Sequence, residues 1–355
     1  MTTVAERNTT RERYFALDAL RGVAVSMVAY DHLFAVHGES FTGKPFAPAE
    51  YIRNHFTAPA GIIQDFGWLG ACIFFLVSGF VIAKSAIEES TRAFVIRRAM
   101  RIFPPVAATV ALVMLIDSLT SGLRPLHDYI LALTLVGYVT IPQVIVIGVA
   151  WTLAIEVIFY AAMTLVAPLL KLRHAAFGVV AISALVMLVL VMARMHGDSF
   201  FLFAASVAYV PLLVLGVIGY LWHSGRAGDG ASLVLGVANL AIFIYGLRQI
   251  HTAFYTAQNS YLVSVFYALA IFWLTFRIAN PPRVLKFIGD ISYSLYLLHG
   301  ILGALVIQWT LPYLSTPMRP LAPVIAFLVS IAASYAMYKH VERPFMTKAR
   351  VMTAS

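Results

Sequence analysis

The sequence predicts an all-α protein, a polytopic bundle of transmembrane helices, on three observations. Hydrophobic residues make up 61% of the chain and charged residues only 12%, against about 45–50% and about 25% in a soluble domain. Ten stretches are long and apolar enough to cross a bilayer, which takes about 20 residues each. The 25 lysines and arginines then fall very unequally on alternate loops, as the positive-inside rule requires. An aromatic content of 13% suits a protein with two headgroup interfaces to anchor.

The polar start, MTTVAERNTTRERY, carries three arginines and runs into the first apolar stretch without a small-residue cleavage site. It reads as a retained signal anchor. Residues 1–14 are expected to form a cytosolic tail, 15–345 the membrane domain and 346–355 a second cytosolic tail. Candidate spans fall near 18–37, 67–83, 105–120, 149–170, 175–193, 203–222, 231–247, 260–276, 288–311 and 321–341. The stretch 129–147 is apolar but interrupted by Gly137 and Pro142. It reads as a re-entrant or interfacial segment, tolerable where protein shields its backbone.

With ten spans and a cytosolic N-terminus, the inside segments hold 18 lysines and arginines and the outside segments 6, with Arg21 left in span one. Eleven spans would reverse every loop after residue 147 and spoil that asymmetry. Both termini are therefore expected in the cytosol, and the protein in the cytoplasmic (inner) membrane. The net charge of +9 is spread through short loops, so it does not point to nucleic acid. The single cysteine, Cys72, lies in an apolar run, which excludes an intramolecular disulfide framework and a Cys-rich metal site.

Candidate chemistry begins in the first span, LDALRGVAVSMVAYDHLF, which carries Arg21, Asp31 and His32. Arg and Asp each cost about 2.5–3.5 kcal/mol at the centre of an inserted helix, so such groups start as functional candidates. Arg21 and His32 are eleven positions apart, within about 20° of one helix face and about 16 Å apart along the axis. Asp18 suits an N-cap, which would put Arg21 in the first turn at the cytosolic edge. Asp31 lies about 100° round a regular helix from His32, so it is expected to face another partner.

In VAWTLAIEVIFYAAM, Glu156 shares a face with Thr152 and Tyr160, and in IGDISYSLYLLHG, His299 shares one with Ser292 and Tyr296. Counting helical rise, His32, Glu156 and His299 fall at one level in the outer half of the membrane. On the cytosolic side, AFVIRRAMRIFPPV places Arg97, Arg98 and Arg101 on a short interfacial helix just before Pro104 and Pro105, which are expected to open span three. Three guanidiniums make a good cradle for phosphates. Glu342, in HVERPF, closes span ten at that level and could orient an arginine.

These segments resemble the membrane acyltransferase 3 family of multi-pass O-acyltransferases. The matches are LDALRGVAVSMVAYDH, with ten residues between arginine and histidine, GWLGACIFFLVSGF, FVIRRAMRIFPP, WTLAIEVIFY, IGDISYSLYLLH and the closing VERP. Six motifs in family order, over roughly residues 14–345, make the resemblance specific. It implies that Arg21 and His32 are essential, with His32 the proton acceptor, and that Arg97, Arg98 and Arg101 serve acyl-coenzyme A. It also implies supporting roles for Glu156, His299 and Glu342. Two departures stand out: Asp31 adds a carboxylate beside His32, and the appended esterase-like domain of some members is not expected.

The expected activity is transfer of an acyl group, acetyl by default, from cytosolic acyl-coenzyme A to a hydroxyl of a cell-surface or exported saccharide. A small-molecule natural product such as a macrolide is the alternative acceptor. Acyl-coenzyme A is a co-substrate, no tightly bound cofactor or metal is expected, and the remaining partner is the lipid bilayer. His32 acts as general base, its unperturbed pKa of about 6.5 suiting the task. Glu156 or Asp31 orients the imidazole, and Tyr160, Tyr296 or Ser292 donates to the developing oxyanion. Aromatic residues of the first outer loop, Phe41, Phe46, Tyr51 and Phe56, with nearby Trp68, are candidates to stack on a sugar. A secondary transporter is the rival from another class, because ionisable groups at mid-membrane also mark substrate paths; a bis-histidine haem protein is a third reading.

Overall fold

The computed structural model describes residues 4–43, 46–172, 174–250, 258–278 and 280–354. Lys44 and Arg173 of the charge count lie outside the described residues. Helices follow one another along the chain: α1 (Val4–Tyr30), α2 (His37–Thr42), α3 (Ala47–Ile52), α4 (Gly67–Glu88), α5 (Thr91–Leu119), α6 (Leu126–Thr134), α7 (Trp151–Leu170) and α8 (Ala176–Met192). The rest are α9 (Gly197–Val207), α10 (Val210–His223), α11 (Asp229–Gln249), α12 (Gln258–Thr275), α13 (Arg283–Asp290), α14 (Ser292–Thr310), α15 (Leu321–Met337) and α16 (Arg343–Met352). No strand occurs among the described residues.

Among the described residues, eight helical runs are long and apolar enough to span a membrane. They are Phe15–Phe41, Gln64–Glu88, Thr91–Leu119, Gly148–Leu170, Gly197–His223, Asp229–Gln249, Ser292–Tyr313 and Leu321–Met352. Two shorter apolar helices, Ala176–Met192 and Tyr261–Thr275, fill the other two predicted positions. The stretch 129–147 forms no long helix: α6 ends at a left-handed Leu135, a short turn follows at Val136–Tyr138, and the chain is irregular until Gly148.

Two expectations about helix ends fail. Asp18 does not cap α1 but lies well inside it, because α1 already starts at Val4. No Gly or Pro interrupts residues 4–21, and the Ala, Glu and Arg of the polar tail are good helix formers. Arg97, Arg98 and Arg101 do not sit on a separate short helix either. Helix α5 starts at Thr91, capped by Ser90, whose hydroxyl accepts from Ala93 N–H at 3.2 Å. It then runs through Pro104 and Pro105 to Leu119. The prolines withhold two N–H donors from the carbonyls one turn back, yet in lipid a continuous helix still leaves fewer polar groups bare than a break would.

The chain forms two compact units, Met1–Val77 with Asn259–His340, and Ser78–Gln258 with Val341–Ser355. In the first unit, α14 packs along α15, and Leu33, Ile307, Ala322 and Ala326 make a core beneath the end of span one. Span one continues past Tyr30 as a π-helical segment, Asp31–Val36; such wide turns are frequent at functional sites.

In the second unit, α16 returns to α5, where Arg97 Nε donates to Thr353 Oγ1 at 2.8 Å and Arg97 Nη1 pairs with Glu89 at 3.1 Å. The other end of α5 is closed by a polar knot. Buried Asp117 Oδ2 accepts from Arg124 Nε at 2.9 Å and from Tyr129 Oη at 2.8 Å, tying α6 to α5. Asp117→Ala removes the acceptor for the buried Tyr129 hydroxyl, which keeps only the Arg124 N–H as a donor at 3.1 Å, and is expected to cost about 1–3 kcal/mol. Arg124→Ala costs less, since that side chain is 45% exposed and its pairing is partly screened. Thermal unfolding in detergent checks the order; equal losses would mean that the carboxylate matters only as a charge partner.

Candidate active site

Span one brings three of the predicted residues into the first unit. Arg21 lies one turn after Asp18, with Nη1 3.9 Å from Asp18 Oδ1 and both side chains partly exposed. An ion pair of that length and exposure adds little stability. Further along, the ring of His32 meets His299 of α14, with Nδ1 of His32 2.8 Å from Nε2 of His299. The rings are nearly parallel, at 11°, with centroids 5.0 Å apart. That separation is the N···N distance plus two ring radii, so the rings meet edge to edge rather than face to face. His299 is fully buried, whereas the His32 side chain is 31% exposed.

Asp31 does not face away as a regular helix implies. Its Oδ2 is 3.8 Å from His32 Nε2, too long for a hydrogen bond but adjacent to it. The π-helical segment begins at Asp31, so the 3.6-residue spacing behind the expectation does not hold there. The carboxylate is buried against Gly67 at the start of α4, where a Cβ would lie 2.2 Å from Oδ2. A side chain at 67 would force the Asp31 carboxylate to move.

On α14, Tyr296 meets the His299 ring at 6.0 Å and Phe74 edge-on at 5.5 Å. Ser292, two turns before His299, is buried and its hydroxyl has no hydrogen-bond partner among the described residues.

A polar cluster that sequence reasoning missed precedes Gly67. Gln64, Asp65 and Phe66 are three consecutive residues with left-handed φ, at 53°, 39° and 81°. Such strain persists only where surrounding contacts hold it. Here Asp65 accepts a fork from Arg53, Nε at 2.8 Å and Nη2 at 2.6 Å, and a bond from Thr57 Oγ1 at 3.0 Å. The Asp65 hydrogen bond raises the Arg53 guanidinium above its ordinary value. Phe66 tilts against the ring of Tyr30, the neighbour of Asp31. Of the outer aromatic residues, Phe41, Tyr51 and Phe56 are exposed. Phe46 and Trp68 are not available for stacking: both are buried, and Trp68 Nε1 donates to the Tyr261 carbonyl at 3.0 Å.

In the second unit, Tyr160 Oη donates to Glu156 Oε1 at 2.7 Å, as one helical turn allows. The Arg98 guanidinium lies 5.7 Å from the centroid of the Tyr160 ring and 5.6 Å from that of Phe94, and its Nη2 donates to Ser85 Oγ. Glu156 is thereby joined through Tyr160 to the arginine segment. Arg97 is held by Glu89 and Thr353, and Arg101 is partly buried on the same helix. Glu342 is buried, at 1% exposure. No group of three or more His, Cys, Asp or Glu side chains suited to a metal ion occurs among the described residues.

The acyltransferase domain family matches residues 14–339. The chain belongs to this family. It is similar to "Nodulation protein 10" of Rhizobium leguminosarum bv. viciae, at 27% identity, covering 65% of this chain and 70% of that protein. It is also similar to a Staphylococcus aureus (strain COL) protein named "Putative O-acetyltransferase", at 25% identity, covering 79% of this chain and 52% of that one. The chain thus spans about half the length of that staphylococcal relative. No solved structure matches it. As a member of an acyltransferase family with eight long apolar helices, the protein is an integral membrane acyltransferase.

Proposed function

We propose that the protein transfers an acetyl group from acetyl-coenzyme A to a hydroxyl of a cell-surface or exported saccharide, with His32 as general base. The observation that carries this is the partly exposed imidazole of His32, hydrogen-bonded through Nδ1 and with Nε2 3.8 Å from Asp31 as its nearest acidic neighbour. Acetyl is favoured as the transferred group by the similarity to the staphylococcal protein named an O-acetyltransferase. In the reaction, His32 Nε2 accepts the proton of the acceptor hydroxyl while the oxygen forms a bond to the thioester carbonyl carbon. The C–S bond then breaks, and Nε2 returns the proton to the departing coenzyme A thiolate.

Arg98 and Arg101 hold donor phosphates, with Arg97 bracing the segment through Glu89 and Thr353. Arg21 offers a further cation to the anionic donor. Glu156, through Tyr160, aligns the Arg98 side chain, and Ser292 and Tyr296 are polar groups near His299 that suit an oxyanion. The charge bias of the loops supports cytosolic termini in the cytoplasmic membrane, which puts the arginine segment on the side where coenzyme A is found.

The test is transfer of labelled acetyl from acetyl-coenzyme A to saccharide by membranes containing the protein. Proton-coupled uptake with no coenzyme A dependence would support a transporter instead. Within that assay, Arg98→Ala is expected to raise the apparent KM for acetyl-coenzyme A about 10-fold or more, the worth of one charge-assisted contact. The acceptor KM stays within about 2-fold of the parent value. Equal increases for both substrates would remove Arg98 from the donor site.

A further inference from the structure

We infer that His299 is a positioning residue that fixes which nitrogen of His32 carries the proton, an assignment that rests on His32 being the base. The chain of hydrogen bonds leaves one arrangement for neutral rings. The Leu295 carbonyl oxygen lies 2.9 Å from His299 Nδ1 and can only accept, so that nitrogen bears the hydrogen. In a neutral imidazole the other nitrogen, Nε2, then holds a lone pair. It faces His32 Nδ1 at 2.8 Å and can only accept, so His32 Nδ1 is the donor. That leaves the lone pair of His32 on Nε2, the nitrogen 3.8 Å from Asp31.

A second proton on His299 would place a full charge at a position with 0% exposure and no carboxylate among its described partners, at a large desolvation cost. The edge-to-edge ring geometry keeps the His32–His299 bond near both ring planes, where nitrogen lone pairs point. When Nε2 of His32 takes a proton, its Nδ1–H becomes a stronger donor to the same acceptor. The accessible ring therefore reacts and the buried ring orients it, a role often filled by a carboxylate elsewhere. A neutral His299 adds no charge of its own to the site, where a carboxylate in the same place would.

Two measurements test this. In protein labelled with nitrogen-15 histidine and placed in lipid bilayers, the His32 signal, identified by its loss in His32→Gln, should show Nδ1 protonated and Nε2 bare. The opposite tautomer, or a mixture, overturns the inference whatever the activity. In the acetyl-transfer assay, His299→Leu should lower kcat about 100-fold with little change in the KM for acetyl-coenzyme A, because a wrongly protonated imidazole is lost as a base. His299→Gln, whose side-chain oxygen can accept from His32 Nδ1, should recover kcat to within about 10-fold of the parent. An inactive His32→Gln beside a fully active His299→Leu leaves the base assignment standing and removes the positioning role. A fully active His32→Gln removes the base assignment, and the tautomer measurement still decides what His299 does.

Discussion

Replacing His32 is expected to give the largest loss of activity of any single substitution, a fall in kcat of about 10²–10⁴-fold, the range that a positioned general base supplies. His32→Gln is the sharper variant and His32→Ala the control. Glutamine retains a donor that can reach His299 Nε2, now 2.8 Å from His32 Nδ1, so the buried ring keeps a partner. It has no nitrogen that titrates near neutral pH, so proton transfer is lost. The KM for acetyl-coenzyme A should move by less than about 3-fold, since the loss falls on the transition state and not on donor binding. Levels of both variants in the membrane should match the parent, because the His32 side chain is only partly buried and its span is long and apolar. A His32→Gln protein that still transfers acetyl within a few-fold of the parent rate would exclude the base.

The spans were readable because lipid selects on length and hydropathy alone. Charge counting resolved the one doubtful stretch, and 129–147 is indeed no continuous helix. The His32–His299 meeting was readable only as a shared depth, since sequence gives height along a helix but not which helices face each other. Helix periodicity identified Tyr160 as the neighbour of Glu156 because that pairing is local, one turn on one helix.

The failures have equally physical causes. A polar residue before an apolar run looks like a cap whether or not the helix starts earlier, so Asp18 was misread. Paired prolines end a helix in water, where freed carbonyls are solvated, but α5 runs through Pro104 and Pro105. The turn at Asp31 is π-helical, which no 3.6-residue wheel anticipates. The Arg53–Asp65–Thr57 cluster joins the π-helical segment Arg53–Thr57 to a turn with left-handed backbone at three residues other than glycine. A sequence reading assigns no such conformation to Gln, Asp or Phe.

The second large effect is on folding, at the crossing of α1 and α13. A Cβ at Gly22 would lie 2.1 Å from the Leu285 carbonyl oxygen, and one at Gly289 would lie 1.9 Å from the Asp18 carbonyl oxygen. Each helix thus presents a glycine to the backbone of the other, and the clash is with main chain that no rotamer change relieves. Close approach through small residues is how helices gain packing in a membrane, where lipid is as apolar as the side chains. Gly289→Val should therefore force the helices apart and cost about 3 kcal/mol, the upper part of the usual overpacking range. Gly22→Ala, with a smaller group at the matching position, should cost less.

The same crossing sets the position of Arg21, next to Gly22, and of Lys286, whose hydrogen bond to Asp290 at 2.6 Å raises its pKa. Loss of packing should then reach activity before the protein unfolds. At a temperature where Gly22→Ala is fully folded, its kcat should already be reduced several-fold. Unfolding midpoints in detergent, with acetyl transfer measured below them, check both parts. Wild-type stability in Gly289→Val would mean that α13 is free to shift away from α1, and that the crossing does not hold Arg21 in place.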